Sequence, residues 1–120
     1  MNFLWSTIKV KDMKDSLKFY QDIVELSIER RFNPDENTEI VFLGSGETKI
    51  ELIDEKNKVD ISFGNDISLG FQVDSVDSMI NKLKEYGIEP ETEILQPNPN
   101  IKFFYVRDPN GLKIQFVENI

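Results

Sequence analysis

The chain has no cysteine and no histidine among its 120 residues. Without cysteine there can be no disulfide, no thiolate metal site and no thiol nucleophile. Without histidine the commonest zinc ligand and the usual general base are gone, so a Ser-His-Asp triad is impossible. Basic residues are also scarce: 14 Lys and Arg stand against 22 Asp and Glu, for a net charge of −8. Nucleic-acid binding needs a basic surface to neutralise phosphates, so no nucleic-acid partner is expected. An acidic protein draws cationic small molecules or basic partners instead. No apolar run approaches the ~20 residues that span a bilayer, so no membrane partner is expected either. The opening residues, Met1-Asn2-Phe3-Leu4-Trp5, lack the basic region and long apolar stretch of a secretion signal. A cytoplasmic location is the resulting expectation.

What is present suits a globular chain with one packed core: 39% of residues are hydrophobic and 30% charged. Residues 3–10 are rich in β-formers, with Leu4, Ile8 and Val10 on one face and Trp5, Thr7 and Lys9 on the other. Asp12 stands where a helix cap belongs. Met13, Leu17, Tyr20, Ile23 and Val24 then follow at helical spacing, which predicts about three turns. Strands are predicted over 27–31, 38–43 and 49–53, with turns at Asn33-Pro34-Asp35 and Gly44-Ser45-Gly46. A polar stretch over 54–65 reads as a linker.

The same order then repeats. A strand over 67–73 leads to a helix capped by Asp74 or Ser75, with Val76, Met79, Ile80 and Leu83 on its apolar face. Gly87 is placed to end that helix in the left-handed conformation. Strands are predicted over 91–95, 102–107 and 112–118, with a tight turn at Asp108-Pro109-Asn110-Gly111 and the run 96–100 as a loop. The repeat is nearly in register: Lys49-Ile50-Glu51-Leu52 answers Lys113-Ile114-Gln115-Phe116, and Val10 answers Val73. The predicted fold is therefore α+β, one domain of two tandem βαβββ modules, about 1–54 and about 66–120. A helix covers only one face of each sheet, so the other face needs a further partner.

Four pieces in this order resemble the vicinal oxygen chelate superfamily, which includes glyoxalase I, extradiol dioxygenases, fosfomycin-resistance enzymes and bleomycin-resistance proteins. They are Ile8-Lys9-Val10-Lys11-Asp12 running into Ser16-Leu17-Lys18-Phe19-Tyr20, then Lys49-Ile50-Glu51-Leu52, then Gly70-Phe71-Gln72-Val73-Asp74, and the ending from Arg107 to Phe116. The resemblance implies curled mixed sheets enclosing a cavity, a homodimer, and in the enzymes a divalent metal held by four side chains. Carried over residue by residue, those positions fall on Trp5, Glu51, Ser68 and Gln115. Only Glu51 is a good ligand. Gln115 offers a neutral oxygen, and the indole of Trp5 donates only. The expectation is a degenerate site with no metal or other cofactor, and hence no Lewis-acid chemistry. Glu51 is the one candidate for a catalytic group, as a general base if burial raises its pKa.

Strand alternation assigns the ligand-facing residues as Trp5, Thr7, Glu51, Ser68, Phe103, Tyr105 and Gln115, with Phe42 added less firmly because its strand phase is ambiguous. That aromatic lining with few polar groups suits a flat organic molecule. Phe71 and Phe116 read as core. The expected function is noncovalent sequestration or sensing of an aromatic or cationic small molecule, as in antibiotic resistance. The alternative is a lyase, isomerase or dioxygenase with a divalent metal on Glu51 and Gln115. A structural partner domain with a vestigial cavity is the third reading.

Overall fold

A computed structural model describes all 120 residues, in two compact units, Met1–Ile61 and Ser62–Ile120. The first contains β1 (Trp5–Lys9), α1 (Met13–Leu17) continuing into a π-helical segment (Lys18–Ile23), β2 (Ile28–Asp35), β3 (Thr38–Leu43) and β4 (Lys49–Glu55). The second contains β5 (Ser68–Gln72), α2 (Val76–Glu85), β6 (Leu95–Asn98), β7 (Ile101–Arg107) and β8 (Lys113–Asn119). Each unit holds one four-stranded mixed sheet, ordered β1-β4-β3-β2 and β5-β8-β7-β6. The β1–β4 and β5–β8 pairs are parallel and the others antiparallel. This is the predicted α+β architecture with βαβββ order in each half.

Matching interactions start both helices. Asp12 and Ser75 are extended N-caps whose side chains accept from Asp15 N–H and Ser78 N–H. The first helical N–H of each, on Met13 and Val76, donates to a carboxylate at the far end of the last strand, Asp54 at 2.9 Å and Glu118 at 2.8 Å. Those acids satisfy donors that a helix cannot satisfy itself. In the first unit Ile8, Val10, Leu17, Phe19, Tyr20, Val41, Leu43 and Leu52 are buried. In the second, Val76, Leu83, Phe104, Val106, Ile114 and Phe116 are buried. Each such aliphatic or aromatic side chain contributes about 1.5–3 kcal/mol by leaving water. Phe71 and Phe104 both pack against Phe116; Phe104 and Phe116 are fully buried, and Phe71, expected in the core, is half-buried at its margin.

The helix ends differ. Gly87, at φ +73°, ends α2, and Ile88 N–H donates to Leu83 O five residues back. In the first unit Glu25 takes the left-handed position at φ +65°, and Leu26 N–H reaches six residues back to Tyr20 O. From cap to left-handed residue the first helical stretch is one residue longer than the second. The chain absorbs that extra residue as a π turn, where a regular α-helix was predicted.

Two strands also depart from prediction. Strand β2 runs through Asn33 and Pro34, which were expected to turn. It is an edge strand, and its register with β3 shifts between Phe32 and Asp35, a setting in which a strand tolerates proline. Strand β6 lies at Leu95–Asn98 and not over 91–95. The Thr92 hydroxyl accepts the Tyr105 N–H, so a side chain takes the place of a strand backbone there and regular pairing starts only at Leu95.

Candidate functional site

In each unit the strand register sorts the side chains into a face that meets the helix and a face turned away from it. On the first sheet, Thr7 stands opposite Glu51, and Glu51 opposite Phe42, so these three share the outer face with Trp5. The phase of Phe42 is thereby settled. Thr7 Oγ1 donates to Glu51 Oε1 at 2.6 Å, which fixes the carboxylate across the parallel pair. The ring of Trp5 meets that of Phe42 at 5.1 Å and 76°, an edge-to-face contact. Trp5 is 43% exposed and Phe42 only 4%, so the indole is the accessible ring and Phe42 its support.

On the second sheet, Gly70 stands opposite Gln115, and Gln115 opposite Tyr105. Gln115 Nε2 donates to the Tyr105 hydroxyl at 3.3 Å. Gly70 lies beside the Gln115 amide, whose Oε1 is 3.4 Å from where a Cβ on Gly70 would stand, an ordinary contact distance. Phe103 and Tyr105 meet edge to face at 5.9 Å. Lys113 Nζ sits 4.3 Å from the Tyr105 ring centre, a cation–π contact. Ser68, exposed, is opposite Lys113. The structure thus gathers Trp5, Thr7, Phe42 and Glu51 on one sheet face, and Phe103, Tyr105 and Gln115, with Ser68 at the β5 end, on the other.

Two groups on these faces were not singled out from the sequence. Arg30 places its guanidinium 4.5 Å from the Phe42 ring centre and 5.5 Å from that of Phe32. Arg107 spends every guanidinium nitrogen: it binds both oxygens of Glu91, the carbonyls of Gly64 and Gly111, and Asn65 Oδ1. Hydrogen bonding to Arg107 is the chief cause that holds the Glu91 carboxyl below its usual value; desolvation opposes it, and the charges of Arg107 and Lys113 add to the lowering. Arg107 opens the last of the family-like segments but drew no role there, and Arg30 stood in no such segment, because the partners of both lie on other strands and loops.

The four positions implied for a metal do not make a ligand set. The Trp5 indole N–H is a donor without a lone pair to give, and the Ser68 hydroxyl is neutral. The Gln115 amide is turned to Tyr105, and Glu51 has one oxygen engaged by Thr7. No three His, Cys, Asp or Glu side chains anywhere in the chain are grouped to hold a metal ion.

Comparison with known proteins places this architecture. A lactoylglutathione lyase of Haemophilus influenzae is 29% identical over 131 aligned positions, covering 99% of this chain and 93% of that protein. The structure of a trypanothione-dependent glyoxalase I from Leishmania major superposes with a TM-score of 0.84 at 21% identity, covering 98% of this chain and 86% of the other. A glyoxalase family protein from Bacillus cereus superposes with a TM-score of 0.83 at 20% identity, covering 100% and 93%. At these identities the structural matches establish the fold. The sequence model of one family matches residues 3–116, nearly the whole length, and with it the chain belongs to the Glyoxalase/Bleomycin resistance protein/Dioxygenase superfamily.

Proposed function

We propose that this chain is a metal-free small-molecule-binding member of its superfamily, which sequesters or senses an aromatic or cationic organic molecule without covalent chemistry. Antibiotic resistance is the physiological setting this reading favours. The observation that carries it is the accessible indole of Trp5, propped edge-on by buried Phe42, at a position that the resemblance assigns to a metal ligand. An aromatic there offers stacking or cation–π energy and nothing to a metal. On the first sheet Glu51 is the polar group of that face, and on the second the outer face carries Phe103 and Tyr105 as ring surface with Gln115 as its polar group. The protein acts in this reading as a cytoplasmic homodimer with no cofactor. No helix is long and apolar enough to cross a membrane, which is compatible with that setting.

The second reading is a metal-dependent lyase. The full-length similarity to a lactoylglutathione lyase favours it. The donor chemistry of Trp5, Ser68 and Gln115 weighs against it.

Trp5 is the sole tryptophan, so its emission reports the site without ambiguity. A genuine ligand quenches or shifts that emission, and Trp5→Ala weakens binding about ten-fold, or about 1.4 kcal/mol. A confirmed ligand that leaves both emission and affinity untouched by these tests would place the binding site elsewhere.

A further inference from the structure

The ligand class can be narrowed from the first sheet alone, on the reading that its outer face binds an aromatic molecule. The β2–β3 pairing steps from Ile28–Leu43 to Arg30–Phe42, so β2 carries one more residue than its partner at Glu29. Such a bulge places two residues opposite one and re-aims a side chain. By strict alternation Glu29 would take the place opposite Phe42 and Arg30 would point to the helix side. With the bulge, Arg30 stands opposite Phe42, on the same face as Trp5, Glu51 and Phe42. Arg31, the next residue, is opposite Val41 and pairs with Glu39.

The charges on this face are unequally matched. The Glu29 carboxylate is paired with Lys49 Nζ at 2.9 Å, whereas Glu51 keeps its charge and accepts one hydrogen bond from the neutral Thr7 hydroxyl. Lys9 is paired with Glu55. Arg30 alone among these cations has aromatic rings, Phe42 and Phe32, as its neighbours and no carboxylate. Ring contact holds the guanidinium plane in place but leaves its N–H donors unspent, because a π face accepts charge and not a hydrogen-bond fork. The Trp5 ring and the Arg30 guanidinium both touch Phe42, which sets them within 10 Å of one another.

We infer that Arg30 is an anion anchor, and that the molecule taken by this face is a planar aromatic bearing a carboxylate or similar oxyanion. The ring lies against Trp5 and the oxyanion receives the guanidinium fork, as Arg–carboxylate pairs do. This selects the aromatic half of the proposed ligand class and rejects the cationic half. The net charge of −8 does not oppose it, since exposed charges beyond about 8–10 Å are screened at physiological salt.

The test uses three probes of one shape and different charge: 1-naphthylacetate, 1-naphthylacetamide and 1-naphthylmethylammonium. Each is titrated into the full chain while the single indole N–H resonance of Trp5 is followed by NMR. The acetate is expected to shift that resonance and to bind about ten-fold more tightly than the amide, with the ammonium weakest. Arg30→Gln should erase the preference for the acetate and keep the affinity for the amide, and Arg30→Lys should restore part of it. Should Arg30→Gln not fold, the wild-type preference must still shrink as salt is raised. A preference unchanged by salt and by Arg30→Gln overturns the inference. Equal shifts by all three probes also overturn it, while leaving the aromatic-binding reading in place. If no probe moves Trp5, both fall.

Discussion

Replacing Arg107 tests how the second sheet is fastened at the edge of its outer face. Arg107 ends β7 opposite Lys113, and its side chain ties Glu91, the Gly64–Asn65 segment and the Gly111 turn to that strand. The Glu91 pair is bidentate, at 2.9 and 3.0 Å, but its two side chains are 28% and 40% exposed. An exposed pair of good geometry contributes about 1 kcal/mol. Three bonds to neutral oxygens in a solvated setting add about 0.5 kcal/mol each. Freeing a long side chain returns about 1 kcal/mol of entropy. Arg107→Ala should therefore cost about 1.5 kcal/mol, and Arg107→Lys about 1, because an ammonium cannot reproduce the planar fork. In a urea titration followed by circular dichroism, the midpoint should fall by about 1 M for an m-value near 1.5 kcal/mol/M. The pH dependence carries a second signature. The folded-state pKa of Glu91 is lowered, chiefly by its hydrogen bonds to Arg107, so its contribution is full above the unfolded glutamate value. It fades as pH falls through the lower folded value. Arg107→Ala should remove that acid-side loss, so the difference in stability between the two proteins narrows by the share of the Glu91 pair as the pH falls below the unfolded glutamate value. A midpoint shift below about 0.3 M, or a stability difference that persists undiminished at low pH, would mean that Arg107 does not fasten this edge.

Two further outcomes follow from the first unit and from assembly. Glu25 holds φ +65° where its counterpart in the second unit is Gly87, so Glu25→Gly should stabilise the chain by about 0.5–1 kcal/mol in the same titration, the relief of strain exceeding the added chain entropy. A destabilised variant would mean that the contacts of the Glu25 side chain outweigh that strain. The proposed homodimer should give twice the 14.0 kDa chain mass in light scattering at micromolar concentration, and the monomer mass would contradict it.

Much of the architecture is legible in the sequence, because it rests on local signals. Asp12 and Ser75 cap helices as their side chains suggest, Gly87 takes the left-handed position, and the answering segments around Glu51 and Gln115 occupy equivalent places in two like sheets. What was not legible comes from single inserted residues. Apolar spacings of three and four tolerate one extra residue, so nothing in Leu17, Tyr20, Ile23 and Val24 separates an α from a π segment. In the same way a period of two cannot reveal the bulge at Glu29, and the polar run Glu29-Arg30-Arg31 has no alternation to disturb. The bulge is what turns Arg30 to the outer face. The phase of Phe42 was open for a related reason: Val41, Phe42 and Leu43 are all buried, so only their pairing partners distinguish the two faces.

The proposed function requires that the positions which the superfamily resemblance assigns to a metal serve here as organic binding surface. The most direct measurement is metal content after loading. Untagged protein is incubated with zinc, nickel, manganese or iron, desalted, and assayed by plasma mass spectrometry. The side chains of Trp5, Glu51, Ser68 and Gln115 predict retention well below one equivalent per chain for every ion. One equivalent retained by the wild type and lost in Glu51→Ala would contradict the account and restore the metal-dependent lyase.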